Sequence, residues 1–277
     1  MERRFNGKAI YQPTGKAGEY SSWACNFFTG CSNDCQYCYC KRGVMSHVWS
    51  SVPRLKKCFK DESHAHKIFV TELERNLDAL RTSGLFFSFT TDPMLPETRT
   101  LTMLAVKECI NRQVPVQILT KCAGFIGDCQ LETLKDCHKQ YIAIGFTLTC
   151  CDELEPNAAS NSDRIKEMNQ LHNLGYRTFA SLEPVIEAPK TVAAISIISG
   201  WCDLIKVGLL SGKRNYRKGE LEYLYDIMLQ NQSCSKFYLK ESFISALGID
   251  RNSLPSQFVS SDYNIFSHEV SGSTYNK

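Results

Sequence analysis

From residue 85 onward, short apolar runs alternate with amphipathic stretches, and this alternation limits the possible folds more than any other feature of the chain. Runs at 85–93, 114–121, 141–149, 176–186, 203–210 and 236–240 read as buried strands. Between them the spacing predicts helices over 67–82, 98–112, 128–139, 162–174, 188–199 and 218–231. In the first helix Phe69, Leu73, Leu77 and Leu80 share a face. In the fourth Ile165, Met168 and Leu171 do so, and Gly175 sits where a C-cap glycine belongs. Strand and helix repeating at roughly 30-residue intervals predicts parallel βαβ units. With "WACNFFTG" (23–30) as the first strand there are six or seven repeats, too few for a closed eightfold barrel. An α/β partial barrel or a doubly wound sheet follows, and in either case ligands sit beyond the carboxyl ends of the strands. The expected organisation is a body over 1–250 and a polar tail over 251–277, whose seven serines and weak periodicity suggest a loosely packed appendage.

The second feature is "TGCSNDCQYCYC" (29–40), which follows the first expected strand. Cys31, Cys35 and Cys38 form C-x3-C-x2-C on one loop, and Cys40 lies two residues beyond. The chain has 14 cysteines among 277 residues, no apolar run of membrane-spanning length and no apolar stretch near the start that would direct export. A chain of this size buries a sizeable core without disulfides, so the thiols are expected reduced or ligating, in the cytoplasm. Three thiolates on a short loop can hold three irons of a [4Fe–4S] cluster and leave the fourth iron open. The competing reading is a structural zinc completed by Cys40 or Cys25. Zinc sites usually show paired C-x2-C or Cys/His spacings, however, and no second pair is present.

C-x3-C-x2-C with an aromatic before its last cysteine, Tyr37, resembles the signature of the radical S-adenosylmethionine enzymes. The longer opening "IYQPTGKAGEYSSWACNFFTGCSNDCQYCY" is similar to the spore photoproduct lyase-like branch of that superfamily. "SFTTDPMLP", "ILTKC", "FTLTCCDELEPNAASNSDRI" and "SLEPVIE" follow in the branch's order, so that the resemblance covers about residues 9–210. It implies a partial (β/α)6 barrel, Cys31, Cys35 and Cys38 as cluster ligands, and S-adenosylmethionine on the open iron. The activity implied is electron-driven cleavage of that cofactor to a 5′-deoxyadenosyl radical, with a reductant such as flavodoxin or ferredoxin.

The same resemblance assigns expectations to individual residues. Tyr37 would pack on the adenine or simply fill core. Thr90, Thr91 and Asp92 in "TTDP" would face the methionine ammonium, although Asp-Pro after a strand is also ordinary turn chemistry. Thr147 and Thr149 would meet ribose hydroxyls, or serve only as good strand residues. Arg164 would clamp the methionine carboxylate; the branch's upstream arginine is replaced here by Asn157, and Arg164 also reads as a solvated helix residue. Glu183, a carboxylate among apolar neighbours, costs energy unless paired, which favours a catalytic site role; Lys121 is its candidate partner, or else snorkels outward. Lys206 and Lys240 interrupt or end apolar strands and are expected to line the barrel. The branch uses a further cysteine to return hydrogen, but Thr82 and Ser83 stand in that region here, leaving Cys122 or Cys150–Cys151 as substitutes.

Net charge is only +3, too mild to imply nucleic acid by itself. Lys213, Arg214, Arg217 and Lys218 nevertheless surround Tyr216, a combination able to follow a phosphate backbone with a stacking face. The expected substrate is a nucleic-acid lesion. The alternatives are a peptide or small molecule modified by the same radical, or a zinc-stapled nucleic-acid-binding module without enzyme activity.

Overall fold

The computed structural model describes residues 4–42, 46–47, 49–210 and 216–267. Its main sheet has eight strands in the order β1 (Ile10–Tyr11), β2 (Ala24–Cys25), β5 (Leu85–Phe87), β6 (Val116–Thr120), β7 (Ile142–Thr147), β8 (Arg177–Val185), β9 (Leu204–Leu209) and β10 (Lys236–Leu239). β1 pairs with β2 antiparallel, and every other pairing in this sheet is parallel. β3 (Phe28–Thr29) and β4 (Arg54–Leu55) form a separate two-stranded sheet. The crossovers are α3 (Arg99–Asn111), a single turn α4 (Asp136–Lys139), α5 (Asn161–Asn173), α6 (Ala188–Ile198) and α7 (Lys218–Gln230). α1 (Glu62–Arg75) and α2 (Leu77–Ser83) precede β5, and α8 (Glu241–Leu247) follows β10. The architecture is a partial α/β barrel, as expected. No helix among the described residues is long and apolar enough to cross a membrane.

The strands are buried on both faces, which is why they read as nearly continuous apolar runs. Alternation still sorts their side chains. Ile144, Phe146, Ala180, Leu182, Ile205, Val207 and Leu239 join the helices Phe69, Met168 and Ile195 belong to in one core, while Phe86, Ala143, Phe179, Leu204 and Tyr238 form a second cluster without helix residues. Ser181 is paired across β8 and β9 with Lys206, and Lys206 across β9 and β10 with Tyr238, so polar groups share this inner face.

Three expectations need correction. The strand expected over 23–30 divides between two sheets, because Asn26 bonds to Phe89 N and Tyr11 Oη (both 2.8 Å) and turns the chain between β2 and β3. The helix expected over 128–139 shrinks to α4 and a short 3-10 turn, since Gln130 has φ +54°. The helix expected over 67–82 begins earlier, where Asp61 accepts from His64 N at 2.7 Å, and breaks at Asn76.

The segment after residue 250 is also better packed than its composition suggests. Val259 N donates to the Phe237 carbonyl (2.8 Å), and Phe237 N to that of Gln257 (2.9 Å), along the free edge of β10. Ile265 is buried in the inner cluster with Phe179 and Tyr238, and Arg177 reaches the Phe266 carbonyl. This segment therefore plugs the inner face of the sheet. Truncating Ile265→Ala should lower unfolding stability by about 2–3 kcal/mol, measured by denaturant titration. A loss below about 0.5 kcal/mol would show that the tail is only loosely attached.

Candidate active site

The cysteine loop begins where Gly30 has φ +84°, with Cys31 N donating to the Ser50 carbonyl at 2.9 Å. A Cβ on Gly30 would stand 2.6 Å from that same carbonyl oxygen, so only glycine fits this approach. Beyond it, Asp34 N bonds to the Cys31 carbonyl (3.4 Å) and Cys38 N to that of Cys35 (3.2 Å). Each bond closes a turn that brings neighbouring cysteines to the same side. Lys41 then bridges back to Asp34 at 2.6 Å.

Cys31, Cys35 and Cys38 all line one cavity of about 460 Å³. It lies beyond the carboxyl ends of β5, β6, β7 and β8, each of which contributes residues to its wall. Burial pushes the Cys31 thiol up to about 12, with the charge of Asp92 adding to the effect. Burial also raises Cys35, whereas Cys38 is lowered to about 6 by a hydrogen bond from Cys40. Cys40 lines the cavity too, and its thiol lies 3.5 Å from the Phe89 carbonyl.

"TTDP" sits as expected at the cavity wall, but its three polar side chains are differently employed. Asp92 is buried and accepts from Asn33 Nδ2 (2.8 Å), Thr120 Oγ1 (2.7 Å), Lys121 N (2.7 Å) and Met94 N (3.0 Å). It ties the cysteine loop to the ends of β5 and β6, with little capacity left for a ligand. Thr90 Oγ1 donates to the Phe28 carbonyl at 2.6 Å. Thr91 Oγ1, by contrast, is a buried atom on the wall of the cavity with no hydrogen-bond partner among the described residues. Thr147 lines the cavity; Thr149 is buried away from it.

Arg164 does not reach the cavity. Its guanidinium is fully buried and spent on Glu155 (2.7 Å), the Ala159 carbonyl (2.8 Å) and the Thr147 carbonyl (2.7 Å). The cation beside the cysteines is instead Lys121, which lines the cavity with its ammonium 5.7 Å from the Tyr37 ring centre. Lys121 therefore is not the partner of Glu183. That partner is Lys240, with Nζ at 3.0 and 2.8 Å from the two carboxylate oxygens and 3.5 Å from Glu19. Tyr20 Oη also donates to Glu183 (2.7 Å) and lies 2.6 Å from Ser181 Oγ. Gly208 makes room for this pair, because a Cβ there would stand 2.8 Å from Lys240 Cδ. Tyr20, Ser181, Glu183 and Lys240 all face the cavity, and Phe86 and Phe89 stack beside Tyr20 at a centroid distance of 4.5 Å.

Other expected residues lie elsewhere. Cys122 is off the cavity wall, its thiol pushed up by burial. Cys151 faces Glu187 (3.7 Å) and Lys190 (3.8 Å); with Glu153 and Glu187 it forms a convergent set of ligand atoms, in which Lys190 already pairs with both carboxylates, 2.9 Å from Glu187 and 3.6 Å from Glu153. Tyr216 is half-buried against the main core, and its hydroxyl donates to the Val185 carbonyl (2.6 Å) and accepts from Leu210 N (2.9 Å). Arg217 and Lys218 are exposed and lie 3.7 and 3.6 Å from Glu220 and Glu222. Lys213 and Arg214 lie outside the described residues.

Solved structures share this architecture. Spore photoproduct lyase complexed with dinucleoside spore photoproduct matches with a TM-score of 0.60 and 14% identity, over 83% of this chain and 80% of that one. The fold is that of spore photoproduct lyase. A variant of the lyase with bound S-adenosylmethionine and the dinucleoside matches with a TM-score of 0.56 and 13% identity, over 80% and 65% of the two chains. Streptococcus suis SuiB bound to precursor peptide SuiA matches with a TM-score of 0.54 and 14% identity, but the chain spans only 50% of SuiB's length. The likeness to both is one of fold. No family model and no curated protein sequence matches this chain.

Lys206, within β9 and not on the cavity wall, gives the fold a testable pH dependence. It is buried, with its amine 4.6 Å from the Tyr20 ring centre and 5.4 Å from that of Phe179. Burial lowers it to about 7, assisted by the nearby charge of Lys240. The folded chain then binds fewer protons than the unfolded chain from about pH 7 up to the ordinary lysine value, so this group makes stability rise with pH across that window. Lys206→Met should raise Tm at neutral pH by several degrees, an advantage that fades toward about pH 10. An unchanged Tm difference between the two chains at every pH would contradict the assignment.

Proposed function

We propose that the chain is a radical S-adenosylmethionine enzyme, with Cys31, Cys35 and Cys38 as ligands of a [4Fe–4S] cluster and S-adenosylmethionine in the adjoining cavity. The observation that carries this reading is the meeting of three loop thiols with the carboxyl ends of parallel strands on a single cavity of about 460 Å³. The donor set fits the cluster: Cys31, Cys35 and Cys38 would hold it by their three sulfurs and leave it room for the cofactor in the cavity.

When bound, the two groups supply electron-driven cleavage of the cofactor to methionine and a 5′-deoxyadenosyl radical that removes hydrogen from substrate. The chain's residues orient and shield. Lys121 offers an ammonium to the methionine carboxylate in place of Arg164, and Thr91 Oγ1 offers the oxygen that lacks an internal partner. Tyr20, Phe86 and Phe89 present an aromatic wall that excludes water, while Glu183 and Lys240 place a donor and an acceptor at its edge.

The substrate reading is a nucleic-acid lesion, supported by likeness to a lyase that holds a dinucleoside. Arg217 and Lys218 are exposed cations, and Tyr216 beside them is half-buried against the core. Modification of a peptide is the second reading, favoured by the likeness to SuiB. A flavodoxin or ferredoxin would deliver the electron.

The test is anaerobic reconstitution with iron and sulfide, then reduction in the presence of S-adenosylmethionine with 5′-deoxyadenosine measured by mass. The unaltered chain should form it, and a folded Cys35→Ala variant should form none. A colourless protein that copurifies with one zinc and yields no 5′-deoxyadenosine would overturn the reading.

A further inference from the structure

The segment 150–159 joins β7 to α5 and touches the cysteine loop at several places. Asn157 Nδ2 donates to the Ser32 carbonyl (3.0 Å), Gln36 N donates to the Leu154 carbonyl (2.9 Å), and the Tyr37 hydroxyl donates to Glu155. Gln36 adds a side-chain bond to the Glu153 carbonyl at 3.3 Å. The segment is itself held at both ends: Cys150 N donates to Asn161 Oδ1 (3.1 Å), Asn161 N to Asp152 Oδ1 (2.8 Å), and Ala159 N to the Lys121 carbonyl (3.1 Å).

Behind Glu155 stands Arg164, 2.7 Å away, and neither side chain has any exposed surface. The remaining guanidinium bonds run to Ala159 and to Thr147, so one ion pair reaches the ends of β6 and β7 as well as the loop. Tyr37 lies between the second and third cysteines of that loop. A tyrosine hydroxyl on an ionised carboxylate makes a stronger and more directional link than packing alone.

We propose that residues 150–159 act as a strap that sets the cysteine loop in place, with Glu155 as a positioning residue that works through Tyr37 and Arg164 holding its charge. What the loop is positioned to carry rests on the cluster reading given above. The "EPNAAS" stretch thereby gains a role: its glutamate and its asparagine both bind the loop rather than the cofactor. Arg164, expected at the methionine carboxylate, serves the site from behind.

Tyr37→Phe is the informative variant, because it cuts the link to the loop and leaves the Glu155–Arg164 pair intact. Amide hydrogen exchange of the full metal-free chain, under anaerobic reducing conditions, should quicken about tenfold or more over residues 31–41, with α7 unchanged. In the reconstituted chain, iron should be lost to a chelator at least about tenfold faster, and the electron paramagnetic resonance signal of the reduced cluster should shift. Glu155→Gln should show the same pattern, more strongly, because it also leaves Arg164 buried without its counter-charge.

Unchanged exchange over 31–41 in Tyr37→Phe would overturn the strap. Faster exchange with unaltered iron retention and an unaltered signal would overturn the positioning role. If the unaltered chain binds no cluster while exchange still responds to Tyr37→Phe, the strap stands as a loop anchor and the cluster reading falls.

Discussion

The arrangement of the site depends on an ion pair sealed from water. Burying a carboxylate and a guanidinium costs several kcal/mol for each ion, and their attraction repays this only if the remaining donors and acceptors are also bonded. Arg164 and Glu155 meet that condition, since the guanidinium also binds Thr147 and Ala159 and the second carboxylate oxygen accepts from Tyr37. A pair of apolar residues could fill the same volume with equal stability. It could not hold the cysteine loop and the ends of two strands in a common register.

The same logic governs the inner face of the sheet. Its strands are nearly all apolar, yet Ser181 and Glu183 on β8, Lys206 within β9 and Lys240 directly after β10 are polar. Glu183 and Lys240 satisfy one another and also bind Tyr20, and glycine at 208 allows them to lie across the sheet. Lys206 receives only aromatic faces, and burial dominates its protonation. Glu183 and Lys240 stand near the carboxyl ends, where a parallel sheet opens to solvent, whereas Lys206 is buried within β9. Val259, Tyr263, Ile265 and Phe266 of the tail cover the inner face, while Phe258 packs on the helix side against Tyr225.

The strands from 85 onward and most crossover helices were legible because their apolar periods match their burial. Where the reading failed, the deciding contact was distant in sequence or depended on one backbone angle. Gln130 in a left-handed conformation ended a helix whose composition looks adequate. Phe258 and Ile265 are two apolar residues in a serine-rich stretch, too sparse to show a period, though each finds a buried place. The cysteine spacing announced its loop, and "TTDP" its wall. The roles of Arg164 and Lys121 were not legible, because which of two cations faces a cavity depends on a partner carboxylate nine residues from one and on a strand end for the other. Neither residue carries a local signal that separates a clamp from a brace.

The central claim is that the three thiols hold a cluster with one iron open to a cofactor. Mössbauer spectroscopy of the anaerobically reconstituted chain, recorded with and without S-adenosylmethionine, tests it most directly. The account predicts a [4Fe–4S] spectrum in which one iron in four changes its parameters when the cofactor is added and the other three stay put. A spectrum that the cofactor leaves unaltered, or a chain that takes up no iron–sulfur cluster, would contradict it.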